Sequence, residues 1–177
     1  VTGLGGSPTF SGLFRLTSGI MNVGTASGNS VGGGSLSNII IEGGLMNVTG
    51  RFLNTSIGAS FNMSAGILNV STIGNAGTTA SFGFTSSGTI FSFTGGTINI
   101  VQASTGSPQL DYNVQTTTPV MGGTLNIGTA ATAAKFTFVG QGAFPNLIIN
   151  NTTNNKTLTL SGTSRAFGGF LVSPGTT

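Results

Sequence analysis

Apolar residues along this chain alternate with small or polar ones in short runs of three to five, and the runs are separated by Gly, Ser, Thr and Asn. Successive side chains on a strand point to opposite faces, so a period of two predicts strands with one buried face. No apolar stripe at helical spacing persists, because Gly, Asn and β-branched residues dominate every window a helix would need. The pattern reads as all-β from end to end.

One unit of the pattern recurs five times: a small residue, Gly, any residue, Ile/Leu/Met, Asn, Val/Ile. The copies are Ser18 to Val23 (SGIMNV), Gly43 to Val48 (GGLMNV), Ala65 to Val70 (AGILNV), Gly95 to Ile100 (GGTINI) and Gly122 to Ile127 (GGTLNI). Their second-position glycines, Gly19, Gly44, Gly66, Gly96 and Gly123, are 25, 22, 30 and 27 residues apart. A constant motif at irregular spacing predicts equivalent strands joined by loops of different length. Five and three residues upstream of each Gly lies a second alternating pair: Phe14/Leu16, Ile39/Ile41, Phe61/Met63, Phe91/Phe93 and Thr118/Val120. A third strand follows in several copies, at Phe82/Phe84, Leu110/Tyr112/Val114 and Phe136/Phe138.

Three short strands per repeat, each with one apolar face, predict a right-handed parallel β-helix (β-solenoid) of about six turns, each of roughly 22–30 residues. The corner glycines supply positive φ between the first two strands. A sixth, degenerate turn is expected with Leu147/Ile149 as its first strand, Leu158/Leu160 as its second, and Phe167 and Phe170 as its third. The strand spacing would also suit a β-sandwich or β-barrel. The repeated corner favours stacking, since a sandwich has no reason to reuse one corner. Residues 1–177 are expected to form a single solenoid segment, a fragment of a longer repeat protein, with rungs about 4.8 Å apart.

Composition narrows the chemistry. Gly, Ser, Thr and Asn supply 95 of the 177 residues, and charged residues only 4%. There is no Cys and no His, which excludes thiolate and imidazole metal sites, disulfides, cysteine nucleophiles and imidazole bases. The pI of 10.3 reflects a net charge of only +3. The five cations, Arg15, Arg51, Lys135, Lys156 and Arg165, are scattered singly, which argues against nucleic acid as a partner. No apolar run approaches the roughly 20 residues of a transmembrane helix. The N-terminal VTGLGGSPTF lacks the features of a signal peptide, so export would depend on a signal outside this chain.

Candidate sites are few, and no catalytic residue, cofactor site or metal site is expected. The two carboxylates, Glu42 and Asp111, are read as isolated, solvated surface acids rather than an acid/base pair. The column Asn22, Asn47, Asn69, Asn99 and Asn126 falls opposite the apolar pair and predicts an outward ladder of amides bonded rung to rung. Beside it, Ile20, Leu45 and Ile67 form a candidate packing strip, continued by Thr97, Thr124 and Thr157. Thr97/Asn99, Thr124/Asn126 and Thr157/Thr159 would form a flat hydroxyl and amide array, which weakly resembles the arrays of ice-binding solenoids.

The rungs FNMSAGILNV and FSFTGGTINI, with the stretch from Gly122 to Gly162, resemble the Gly/Thr/Asn-rich β-repeat regions of very large secreted surface proteins of Bacteroidota. The likeness covers most of the chain and is one of repeat style. It implies a type IX secretion substrate akin to the giant gliding adhesins, placed at the cell surface. The expected function is then a non-enzymatic structural or adhesive module. Its partners would be neighbouring rungs or further copies of itself, surface glycans or secretion machinery. A glycan-binding or glycan-active β-helix and an ice-binding solenoid are the alternatives.

Overall fold

The computed structural model describes residues 2–34, 37–86, 88–115, 122–129, 134–140, 143–149, 156–161, 165–166 and 170–172. Among them every regular element is a strand and every strand pairing is parallel. The larger sheet has ten strands, eight of which follow one another in the order Thr2–Leu4, Ile20–Val23, Asn38–Val48, Ser60–Val70, Thr97–Ile100, Thr124–Ile127, Asn146–Ile149 and Phe170–Val172. Leu13–Leu16 and Ile90–Phe93 pair with the first halves of Asn38–Val48 and Ser60–Val70. The second sheet has seven strands, in sequence order Thr9–Phe10, Ser30–Gly33, Arg51–Asn54, Phe82–Phe84, Tyr112–Val114, Ala134–Gly140 and Lys156–Ser161. A two-stranded sheet pairs Ala143–Phe144 with Arg165–Ala166. The chain thus visits the two large sheets alternately, always adding beside its previous visit, which is the strand order a β-solenoid requires.

The five motif copies stand in register. Met21 lies beside Met46, then Leu68, Ile98, Leu125 and Leu147 in turn, and all are buried. A second column, Val31, Phe52, Phe82, Tyr112 and Phe138, runs through the second sheet. Its rings stack face to face, with centroids 5.8 Å apart for Phe52–Phe82 and Phe82–Tyr112 and 5.0 Å for Tyr112–Phe138. Phe61 and Phe91 stack likewise at 5.4 Å and meet Phe84 from across the interior. These aromatic columns fill the space between the sheets, where each ring removes apolar surface from water and gains offset-stacking contact. Phe14 and Leu16 are only partly buried because their strand has a neighbour on one side alone among the described residues.

The corners follow from backbone geometry. Gly19, Gly44, Gly66, Gly96 and Gly123 all have positive φ, from 66° to 84°. In Asn38–Val48 and Ser60–Val70 the two strands expected on either side of the corner merge into one bent run of 11 residues, with register shifts around Glu42. A Cβ on Gly66 would stand 2.8 Å from the carbonyl group of Gly43, so successive corners nest backbone on backbone. At Gly19, the first corner, a Cβ would meet nothing within 4 Å.

The degenerate level differs from expectation. Leu147 and Ile149 pair with Leu125 and Ile127, so they occupy the motif column itself and not the strand before it. Leu158 and Leu160 pair with Phe136 and Phe138 in the second sheet. Without a Gly corner the alternation carries no mark of which strand it belongs to, and the sequence assignment slipped by one strand. Phe170 pairs with Leu147, one level beyond. Phe167, Thr118 and Val120 lie outside the described residues.

The two corner environments separate two costs. Gly19→Ala meets only the left-handed backbone penalty, about 1–2 kcal/mol. Gly66→Ala adds a backbone collision and is expected to cost at least about 3 kcal/mol. Urea denaturation of both variants measures the difference, and equal losses would show that the nested corners do not constrain one another.

Candidate functional site

On the larger sheet, Asn22, Asn47, Asn69, Asn99 and Asn126 are in register on consecutive strands. Asn47 Nδ2 donates to Asn22 Oδ1 at 2.8 Å, Asn69 Nδ2 to Asn47 Oδ1 at 2.8 Å, and Asn99 Nδ2 to Asn69 Oδ1 at 2.7 Å. The side chains are half-buried in their own stack rather than fully outward. At Asn126 the regularity ends: its Oδ1 is buried without a partner among the described residues, and the next residue in the column is Ile148.

Alongside the ladder, Ile20, Leu45 and Ile67 are in register. Ile20 and Ile67 are 43% and 42% exposed, whereas Leu45, between them, is half-buried. The column continues through Thr97 and Thr124 to Asn146. Thr157 and Thr159 do not join it, since they pair with Lys135 and Thr137 in the second sheet. The hydroxyl and amide array is therefore limited to Thr97/Asn99 and Thr124/Asn126. The error has the same source as the slipped degenerate level.

The two carboxylates are neither isolated nor alike. Glu42 is at the surface in an ion pair, with its Oε2 2.7 Å from Arg15 Nη2 and 2.8 Å from Arg15 Nε. Asp111 is fully buried. Its Oδ1 accepts the Ser104 N–H at 2.5 Å, and its Oδ2 accepts the Thr137 N–H at 2.7 Å and the Gln109 side-chain amide at 3.2 Å. Alternation between inward Leu110 and Tyr112 predicts a solvated Asp111; the strand begins only at Tyr112, with Leu110 half-buried before it and Asp111 enclosed. A loop, invisible to strand alternation, covers it.

That loop is one of two that stack on each other over the second sheet. Residues 71–81 and 101–111 link the larger sheet to the second at successive levels, and Asn75 bridges to Ser104 between them. Thr105 N–H donates to the Asn75 carbonyl at 2.8 Å, and a Cβ on Gly106 would stand 1.9 Å from the Gly77 carbonyl oxygen. Inside the first loop, Asn75 Nδ2 donates to the Thr79 carbonyl at 2.9 Å, and Asn75 Oδ1 accepts the Gly77 N–H at 2.9 Å. Arg51 reaches up from the level below, donating from Nη1 to Thr79 Oγ1 at 2.8 Å and from Nη2 to the Gly28 carbonyl at 3.2 Å.

Between these loops and the second sheet lies a groove of about 330 Å³. Leu53 and Thr55 contribute from one level, Thr78, Thr79, Ala80 and Thr85 from the next, and Leu110, Asn113 and Gln115 from the third. Gly83, in register between Leu53 and Asn113, lies buried beneath these side chains, and a Cβ there would stand 3.0 Å from Leu53 Cδ2 and 3.4 Å from Ala80 Cβ. None of these lining residues was singled out from the sequence as a site. The readable signal was the wide spacing of 30 and 27 residues between Gly66, Gly96 and Gly123, which marks the two levels with long loops.

Comparison of the chain with protein-family models, with curated proteins and with solved structures finds no match.

Asn47→Ala removes two amide bonds of the ladder and is expected to cost about 1–3 kcal/mol, whereas Asn126→Ala removes an unpaired oxygen and should be nearly neutral. Thermal and urea unfolding compare them, and a costly Asn126→Ala would contradict the hydrogen-bond assignment.

Burial pushes the Asp111 pKa from the usual 3.8 up to about 6, against the opposing hydrogen bonds from Ser104, Thr137 and Gln109. A carboxyl that holds its proton more tightly when folded stabilises the fold most below its unfolded pKa. Stability should therefore be greatest below about pH 4 and fall by about 3 kcal/mol as pH rises through 6. A Glu42→Gln background leaves Asp111 as the only side-chain carboxyl, so urea midpoints between pH 3.5 and 8 isolate it. Asp111→Asn should flatten the profile, and a stability that rises across this range would refute the assignment.

Proposed function

We propose that the chain is a right-handed parallel β-helix of about six full turns with three strands each. We further propose that it serves as a non-enzymatic, extracellular structural or adhesive module of a large bacterial surface protein. The observation that carries the reading is the unbroken run of like residues in register: apolar columns inside and an amide ladder outside, repeated level after level. Such a stack extends by adding levels, each burying the apolar face of the last. The resemblance to Bacteroidota surface repeats supplies the habitat, with export through a type IX route. The disposition of the carboxylates supports the absence of chemistry, since Glu42 is engaged by Arg15 and Asp111 is enclosed by backbone donors.

The module assembles with copies of itself, end to end through its outermost strands or laterally through Ile20, Leu45 and Ile67. Light scattering over a range of concentrations and electron microscopy of the segment test this, with concentration-dependent elongated assemblies expected. A strictly monomeric domain would sink the filament version. Release of reducing ends from a polysaccharide, lost on Glu42→Gln or Asp111→Asn, would overturn the non-enzymatic reading.

A further inference from the structure

We propose that the groove over the second sheet binds a neutral saccharide chain. Its volume of about 330 Å³ is at the lower end of the roughly 300–1,000 Å³ typical of small-ligand sites. Its walls come from three consecutive levels, so it runs along the stack for about 10 Å at strand spacing. An elongated ligand lying parallel to the stack matches that shape better than a compact one.

The lining chemistry selects the class. Four threonine hydroxyls and two amides, each able both to donate and to accept, face the groove beside the apolar side chains of Leu53 and Leu110. A sugar ring presents the same mixture, with hydroxyls around its edge and C–H groups on its faces. Several of the polar groups are already oriented. Thr79 Oγ1 accepts from Arg51, which leaves its O–H to donate. Asn113 Oδ1 accepts from Gln115 Nε2 at 3.2 Å, which leaves Asn113 N–H groups and Gln115 Oε1 for a ligand. Among the described residues no charged side chain lines the groove: Arg51 directs Nη1 and Nη2 to Thr79 and Gly28, and Asp111 is enclosed beneath its loop. A neutral ligand is therefore favoured over an anionic one. The site needs only three levels and does not depend on the scaffold reading.

Affinity gel electrophoresis of the 177-residue chain tests the proposal, with dextran, laminarin and galactomannan as neutral polymers and heparin and alginate as anionic ones. At least one neutral polymer should retard the chain. Both the Asn113→Ala/Gln115→Ala double variant and Thr78→Trp, which obstructs the groove, should weaken that retardation at least ten-fold while keeping the wild-type melting temperature. No retardation by any neutral polymer overturns the proposal, as does retardation by the anionic polymers alone, which the net charge of +3 would produce. Amide chemical-shift changes in the wild-type chain on adding oligosaccharides of the retarding polymer locate the site whether or not the variants fold. Changes centred on Thr78, Asn113 and Gln115 support it, and changes confined elsewhere refute it.

Discussion

In a parallel, in-register stack every side chain faces its own counterpart one strand away, and this constraint governs the rest of the molecule. Met21 meets Met46, Asn47 meets Asn69, and Phe82 meets Tyr112, because the register leaves no other neighbour at that distance. Residues that gain from self-contact accumulate under such a rule, apolar and aromatic ones inside and amides outside. Charges do not, since identical ions at strand spacing repel. The 4% charged content is thus a consequence of register rather than a deficiency of function. Where ions occur they escape the columns: Arg15 is in register with Ile40 and reaches Glu42 beyond it, while Asp111 is satisfied by backbone N–H groups.

Register is strict only within the strands. Val48 and Arg51 are joined by two residues, whereas the equivalent links at the next two levels have eleven each. Lengthening a loop adds little closure entropy, so the surface can vary while the core columns stay fixed. The long links settle on each other through Asn75, Ser104, Gly77 and Gly106, and so turn a freedom of length into a wall. A rigid core and permissive links together explain why the groove is made by the least regular part of the sequence.

That division also decides what could be read in advance. The all-β character, the five corner glycines, the inward pairs and the amide column all follow from a period of two anchored by a repeated Gly, and all five glycines have positive φ. Where the anchor is lost, after Ile127, alternation alone could not say which column Leu147 or Leu158 belonged to. Asp111 and the groove were missed for a different reason. Their environment is set by loops, whose path depends on contacts between residues about 30 positions apart, such as Asn75 with Ser104, and local patterning carries no trace of these.

The amide ladder has a sense. Each bond runs from the Nδ2 of the later residue to the Oδ1 of the earlier one, so Asn47, Asn69 and Asn99 all point the same way. Aligned amide dipoles add and polarise one another, as peptide units do along a helix. The outer face is therefore a polar axis, donor-rich toward Asn22 and acceptor-rich toward Asn126. Two such stacks meeting head to tail would continue the dipole, while two meeting head to head would oppose it. An otherwise nearly uncharged surface thus carries a directional preference, written in side chains that have no net charge.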